Sequence, residues 1–194
     1  MVEAHGQRVS ESEYLALERT SVEKHEYVNG EMFAMAGGTP LHAAIAANLA
    51  GALRNALRGK PCGVASSDLR VHVRSTGLYT YPDLTVVCGR VELHPEDDTV
   101  ITNPTLIVEV LSKTTEAYDR GAKFAHYEHI PSLAEYLLVS ADARRLEHYR
   151  RLDTGQWLRT VVDANDTPEG TLELPTLAAR IAIADILEGL AIFA

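Results

Sequence analysis

Two acids stand where acids are seldom placed. Asp83 falls in Tyr81-Pro82-Asp83-Leu84-Thr85-Val86-Val87, and Glu109 in Leu106-Ile107-Val108-Glu109-Val110-Leu111-Ser112. Both runs are otherwise mainly β-branched or apolar and are bounded by Pro, Ser or Thr, which reads as strands buried on both faces. A buried, unpaired carboxylate either costs several kcal/mol or takes up a proton, so each acid should have a cation, a hydrogen-bond donor or a metal beside it. Two such acids suggest one shared site.

The elements that must position them can be read along the chain. Ser10-Glu11-Ser12-Glu13 has capping-box spacing and opens a short first helix. Asn29-Gly30 lies between two strand-like arms, from His25 to Met35, and predicts a β-hairpin with a type I′ turn. From Leu41 to Arg58, apolar residues recur at spacings of three and four, which predicts a helix ended by Gly59-Lys60-Pro61. His42 lies in its first turn, where the helix dipole disfavours a cationic imidazole; it is read either as a cap or surface residue or as a neutral acceptor or ligand. Leu69, Val71 and Val73 alternate with Arg70, His72 and Arg74 as in a half-buried strand. The polar stretch from Gly89 to Asp98 is expected to be a solvated connection.

After Glu109, Ser112-Lys113-Thr114-Thr115-Glu116 supplies caps for a helix from about Glu116 to His129, in which Asp119, Lys123 and Tyr127 share one face. Ile130-Pro131 breaks it, and Glu135 to Val139 resumes as a strand, so the strand-helix-strand order favours a parallel pair. Asp153-Thr154-Gly155 marks a C-terminal hairpin, and Leu177 to Leu190 is expected to form a capping helix. Arginines 144, 145, 150, 151 and 159 either form a basic face for DNA or are merely solvated.

At 194 residues and 46% hydrophobic content the chain suits a single domain with a real core. No apolar run approaches the roughly 20 residues that span a bilayer. The start, with Glu3, His5 and Arg8, lacks the order of a signal peptide, so a cytoplasmic location and no membrane are expected. Cys62 and Cys88 stand singly and are read as reduced packing residues. A net charge of −9 argues against coating nucleic acid by bulk attraction. It does not exclude a nuclease, because metal ions and a local basic face such as Arg54, Arg58 and Lys60 can receive phosphate; those three read equally as a solvated helix end.

The order Tyr81-Pro82-Asp83, Val108-Glu109-Val110-Leu111-Ser112, Asp119 with Lys123 and Tyr127, and then Glu135-Tyr136 resembles the Uma-type restriction-endonuclease family of the PD-(D/E)xK nuclease superfamily. The Tyr27-Val28-Asn29-Gly30-Glu31 hairpin and His42 extend the likeness over most of the chain. The resemblance implies an α/β (mixed α+β) fold, with a central mixed β-sheet flanked by helices. It also implies Asp83 and Glu109 as ligands of Mg²⁺ or Mn²⁺, whose hard charge suits carboxylate oxygens. The superfamily pattern places a lysine two residues after the glutamate, where this chain has Leu111; Lys123 on the next helix is the match, and Lys113 the competing candidate.

The implied activity is metal-dependent endonuclease hydrolysis of nucleic acid, DNA above all, by a homodimer that can act on two strands. His42 and Glu31 are further site candidates, as ligand or base. Two alternatives stand beside this reading. Asp83, Glu109 and Lys123 could form only a buried salt-bridge cluster, and the chain could be a catalytically inactive nuclease-fold module used for binding.

Overall fold

The structure, a computed structural model, describes residues 8–193; Glu3 and His5 lie outside that range. Helix α1 (Glu11–Glu18) opens with the expected capping box: the Glu13 amide donates to Ser10 Oγ, and the Ser10 amide donates to the Glu13 carboxylate. β1 (His25–Val28) and β2 (Glu31–Ala34) form the hairpin, with positive φ at both Asn29 and Gly30 as a type I′ turn requires. Helix α2 (Pro40–Ala56) is capped by Thr39, with Pro40 in its first turn. Nine short strands follow, with one helical segment between the seventh and eighth of them. They are β3 (Cys62–Ser66), β4 (Arg70–Val73), β5 (Leu78–Thr80), β6 (Leu84–Cys88), β7 (Leu93–His94), β8 (Asp97–Ile101), β9 (Leu106–Val110), β10 (Glu135–Val139) and β11 (Arg145–Arg151). β12 (Trp157–Asp163) pairs with β11, and a small β13 (Thr171–Leu174) and β14 (Ala179–Ala182) ribbon precedes α5 (Ile183–Leu187).

Two six-stranded mixed sheets result. The larger runs β12-β11-β10-β9-β6-β3, with β9 and β10 parallel and the other pairs antiparallel. Its two faces follow from the period of two along β9. Leu106, Val108 and Val110 pack with Ile45, Leu49 and Leu53 of α2, whereas Ile107 and Leu111 pack with Tyr127, Ile130 and Tyr136 beneath the helical segment that joins β9 to β10. Glu109 shares the second face.

The other sheet runs β2-β1-β5-β4-β8-β7 and stands beside the central mixed sheet expected. β4 is buried along its whole length, because Arg70 and His72 point into a cluster with Tyr14, Tyr79 and Asp97 rather than into solvent. The stretch read as a solvated connection holds the β7 and β8 hairpin, with Asp97 buried. Cys62 and Cys88 are not separate thiols: strand register sets them opposite each other on β3 and β6, and they form a disulfide. The expected C-terminal capping helix is shortened to α5, because Leu172, Leu174, Ala179 and Ile181 alternate and bury their apolar side as a ribbon against the α2 core.

Candidate active site

Asp83 stands immediately before β6, and Glu109 on the neighbouring β9. Asp83 Oδ2 accepts from the Val110 amide at 2.7 Å, and Glu109 Oε2 accepts a longer bond from the Asp83 amide at 3.4 Å. Each acid is thus held against the other's backbone. Glu109 Oε1 accepts from the Tyr127 hydroxyl at 2.8 Å and from Lys123 Nζ at 2.9 Å.

Lys123 and Tyr127 come from the segment between β9 and β10. It is built of α3 (Glu116–Tyr118), a π-helical turn (Asp119–Lys123) and α4 (Phe124–Tyr127). The π turn widens the helix where Asp119 and Lys123 face the sheet, a device often found at functional sites. Lys123 Nζ also lies 3.1 Å from Glu26 Oε1 and 3.6 Å from Asp119 Oδ1. Three carboxylates, those of Glu26, Glu109 and Asp119, therefore gather around one buried ammonium, and the charge of Asp83 acts on Glu109 beside them.

That imbalance decides the protonation. Burial works against the Lys123 charge, but Glu109, Tyr127, Glu26 and Asp119 hold its pKa well above the usual lysine range. One ammonium cannot neutralise every acid. Burial, reinforced by the charges of Asp83 and Asp119 and opposed by Lys123, pushes the Glu109 carboxyl up to about 8, and burial likewise raises Asp119.

His42 reaches the site from the first turn of α2, its Nε2 2.9 Å from Asp83 Oδ1. The bond to Asp83 raises the imidazole's pKa against the effect of burial. Gly38 makes room for this: a Cβ there would stand 2.7 Å from the His42 ring.

Glu31 is not brought to the site. It pairs with Val28 across the hairpin, two residues beyond Glu26 on the same face and toward the turn, and makes no ion pair with Lys123. Glu26, absent from the sequence reading, occupies the position instead and accepts a further bond from Thr80 Oγ1. Its signal was the alternation of β1, which sends Tyr27 into the aromatic cluster and Glu26 to the opposite face.

Lys113 is exposed in the turn after β9, whereas Lys123 is buried. Leu111, where the superfamily pattern has lysine, fills the apolar cluster with Tyr127 and Ile130. Lys60 is tied to the Leu177 and Ala178 carbonyls rather than presented to a ligand.

The donor set fits a hard divalent cation. Asp83 and Glu109 Oε2 are carboxylate oxygens at neighbouring strands, the local charge is negative, and Mg²⁺ typically takes one or two carboxylates while keeping several waters. Tyr127 and Lys123 both bind Oε1, leaving Oε2 with the longer bond from the Asp83 amide.

Among the described residues, three ligand atoms within 4.8 Å of one another occur at Glu11, His72 and His94 instead. Glu11 and His94 of that group are tied into a hydrogen-bond network, while His72 stacks on Tyr79 with its buried Nδ1 unpartnered among the described residues. The Glu96 amide donates to His94 Nδ1, which leaves the proton on Nε2, 3.1 Å from the Tyr79 hydroxyl, and Tyr79 in turn donates to Glu11. A depression lined by Pro168, Glu169, Ala184, Asp185, Leu187 and Glu188 is acidic and unsuited to phosphate.

A mixed sheet flanked by helices, with paired acids on adjacent strands and a lysine from the following helical segment, defines the restriction-endonuclease-like class. Residues 11–184 match the family described as "Uma2: Putative restriction endonuclease", and the chain belongs to that family. Two relatives come from Synechocystis sp. (strain ATCC 27184 / PCC 6803 / Kazusa). Uncharacterized protein slr1290 is 41% identical over 187 residues, covering 95% of this chain and 94% of its own length. Uncharacterized protein sll1609 is 34% identical over 160 residues, covering 82% and 90%. The fold is similar to a crystal structure from Anabaena variabilis ATCC 29413 titled as a putative nuclease belonging to DUF820. The TM-score is 0.74 at 18% identity, over 94% of this chain and 99% of that one.

Proposed function

We propose that this chain is a metal-dependent endonuclease that hydrolyses phosphodiester bonds of DNA, with Mg²⁺ or Mn²⁺ held by Asp83 and Glu109. The observation that carries the reading is the surplus of carboxylates around Lys123, a charge imbalance that a divalent cation would relieve. Membership of the family supports the reaction class. Bound there, the ion supplies Lewis-acid charge at the phosphate and an acidified water.

The chain's own groups do the rest. Glu109 releases its proton when the site loads, as a ligating carboxylate must. Tyr127 fixes Glu109 Oε1, and His42 fixes Asp83 from the other side. Lys123 keeps its proton and is placed to offset charge growing on the phosphate oxygens as water adds to phosphorus and the bond to the leaving oxygen breaks. Asp119 and Glu26 hold that ammonium in place. Two copies working as a homodimer would address the two strands of a duplex.

The test is cleavage of plasmid DNA by the purified chain with Mg²⁺ or Mn²⁺, repeated with a chelator and with Asp83→Asn and Glu109→Gln. Cleavage should need the ion and both acids. Cleavage that survives chelation or both substitutions would place the chemistry elsewhere.

A further inference from the structure

We propose that the outer face of β11 and β12, together with Arg120, is the surface that holds the DNA backbone beside the Glu109 site. The proposal rests on the nuclease reading above for the identity of its ligand, and on separate residues for its geometry.

Register places this surface. Glu109 pairs with Leu138 and Leu138 with Glu147, so Glu109 and Glu147 lie on the same face of the sheet, two strands apart, which is roughly 10 Å. The same alternation puts Arg145, Tyr149 and Arg151 on that face and Arg150 on the other, and pairing adds Trp157 and Arg159 from β12. The arginine run of the sequence is thereby divided: three of its five members face the candidate site's side, joined by Arg120 from the π turn that also carries Lys123.

Glu147 organises these cations. It is buried, and Arg120 Nε at 3.0 Å, Arg145 Nε at 3.3 Å and Arg159 Nη2 at 2.6 Å all converge on it. Burial pushes its carboxyl up, and the bonds from Arg159 and Arg120 more than reverse this. Three guanidiniums around one carboxylate leave net positive charge there. Each guanidinium carries five N–H donors in a planar fork and commits only part of it here, while the side chains remain 32%, 49% and 45% exposed. Arg151, stacked over Trp157 at 4.7 Å, has only the Glu128 and Ile130 carbonyls as hydrogen-bond partners among the described residues.

Across the face, four guanidiniums stand against three carboxylates: Glu147, Glu116 on Arg120, and Asp163, which lies opposite Arg145 and accepts from the Asn165 amide. A net positive strip with half-buried aromatics, on a chain of net charge −9, matches the electrostatic footprint of a phosphate backbone. Backbone phosphates recur every 3.4 Å or so of rise along a strand, so a few nucleotides bridge the roughly 10 Å to Glu109.

The experiment is fluorescence anisotropy with labelled duplex DNA in chelator, across a range of salt, using the full chain. Each phosphate contact removed should lower the slope of log affinity against log salt by about one. Arg145→Ala with Arg159→Ala should lower it by about two and weaken binding about tenfold or more, while Arg145→Lys with Arg159→Lys keeps the slope. Arg58→Ala, beyond α2 on the opposite face, should change nothing. If the double alanine variant does not fold, Arg145→Ala alone, whose bond to Glu147 is the longest of the three, should lower the slope by about one. An unchanged slope in a folded alanine variant, an equal loss in Arg58→Ala, or arginine-dependent binding of RNA but not DNA would overturn the proposal. The two readings fail separately. A chain that cuts DNA and binds it normally without these arginines contradicts the surface alone. A chain that binds through them but cuts nothing contradicts the nuclease alone.

Discussion

Asp97 and Glu109 are buried to the same degree, 3% and 4% exposed, yet their pKa values move in opposite directions. Burial pushes the Asp97 carboxyl up, but the Thr99 hydroxyl and amide and the Arg70 and Arg19 guanidiniums more than reverse it. Every oxygen of Asp97 has a donor, and two cations serve one acid. At Glu109 burial prevails, because Lys123 is shared among three acids and Asp83 and Asp119 add repulsion. Equal burial with unequal compensation separates a region built to stay closed from one left with charge to be satisfied by something else.

The comparison can be broken at either end. Asp97→Ala would leave Arg70 buried without its carboxylate and should cost about 3–5 kcal/mol in denaturant unfolding, while DNA cleavage by the folded protein stays unchanged. A loss of cleavage in protein that remains folded would move function into the balanced network. Lys123→Ala should do the reverse, lowering cleavage by a factor of about 10² or more with metal binding retained. Lys113→Ala should leave the rate alone, and equal losses in the two variants would remove Lys123's special role.

The most gradual effect is in pH. The folded Glu109 holds a proton up to about pH 8, whereas its ordinary value is 4.5. Between those values the native chain binds more protons than the unfolded one, so metal-free stability should fall as pH rises, at up to about 1.4 kcal/mol per unit. Asp97, lowered, contributes in the other direction: its stabilisation is lost as pH falls toward its folded value. Glu109→Gln should flatten the decline between about pH 5 and about pH 8, and a decline left intact in that variant would assign it to another group.

How much of this could be read from the sequence follows from which contacts are local. Asp83 and Glu109 were visible because a lone acid in an apolar run is conspicuous, and Asp119, Lys123 and Tyr127 because a helix repeats every three to four residues, a spacing that the π turn relaxes without breaking. Glu26 was missed in favour of Glu31 because both lie on one face of the hairpin, and only the approach of the distant Lys123 chooses between them. The second sheet was hidden for the same reason. Arg70 and His72 looked solvated until Asp97, 27 residues beyond Arg70, and Tyr79 covered them. The Cys62 and Cys88 bond likewise depends on the antiparallel register of β3 with β6.

The central claim, that the acid surplus at Glu109 holds a divalent cation, is tested most directly by the melting temperature of the chain titrated with Mn²⁺. A ligand that binds only the folded state must raise apparent stability. The wild type should melt progressively higher as Mn²⁺ is added, Asp83→Asn and Glu109→Gln should each abolish that rise, and His94→Ala should leave it intact. A rise that persists in both acid variants, or one that vanishes with His94→Ala instead, would contradict the account.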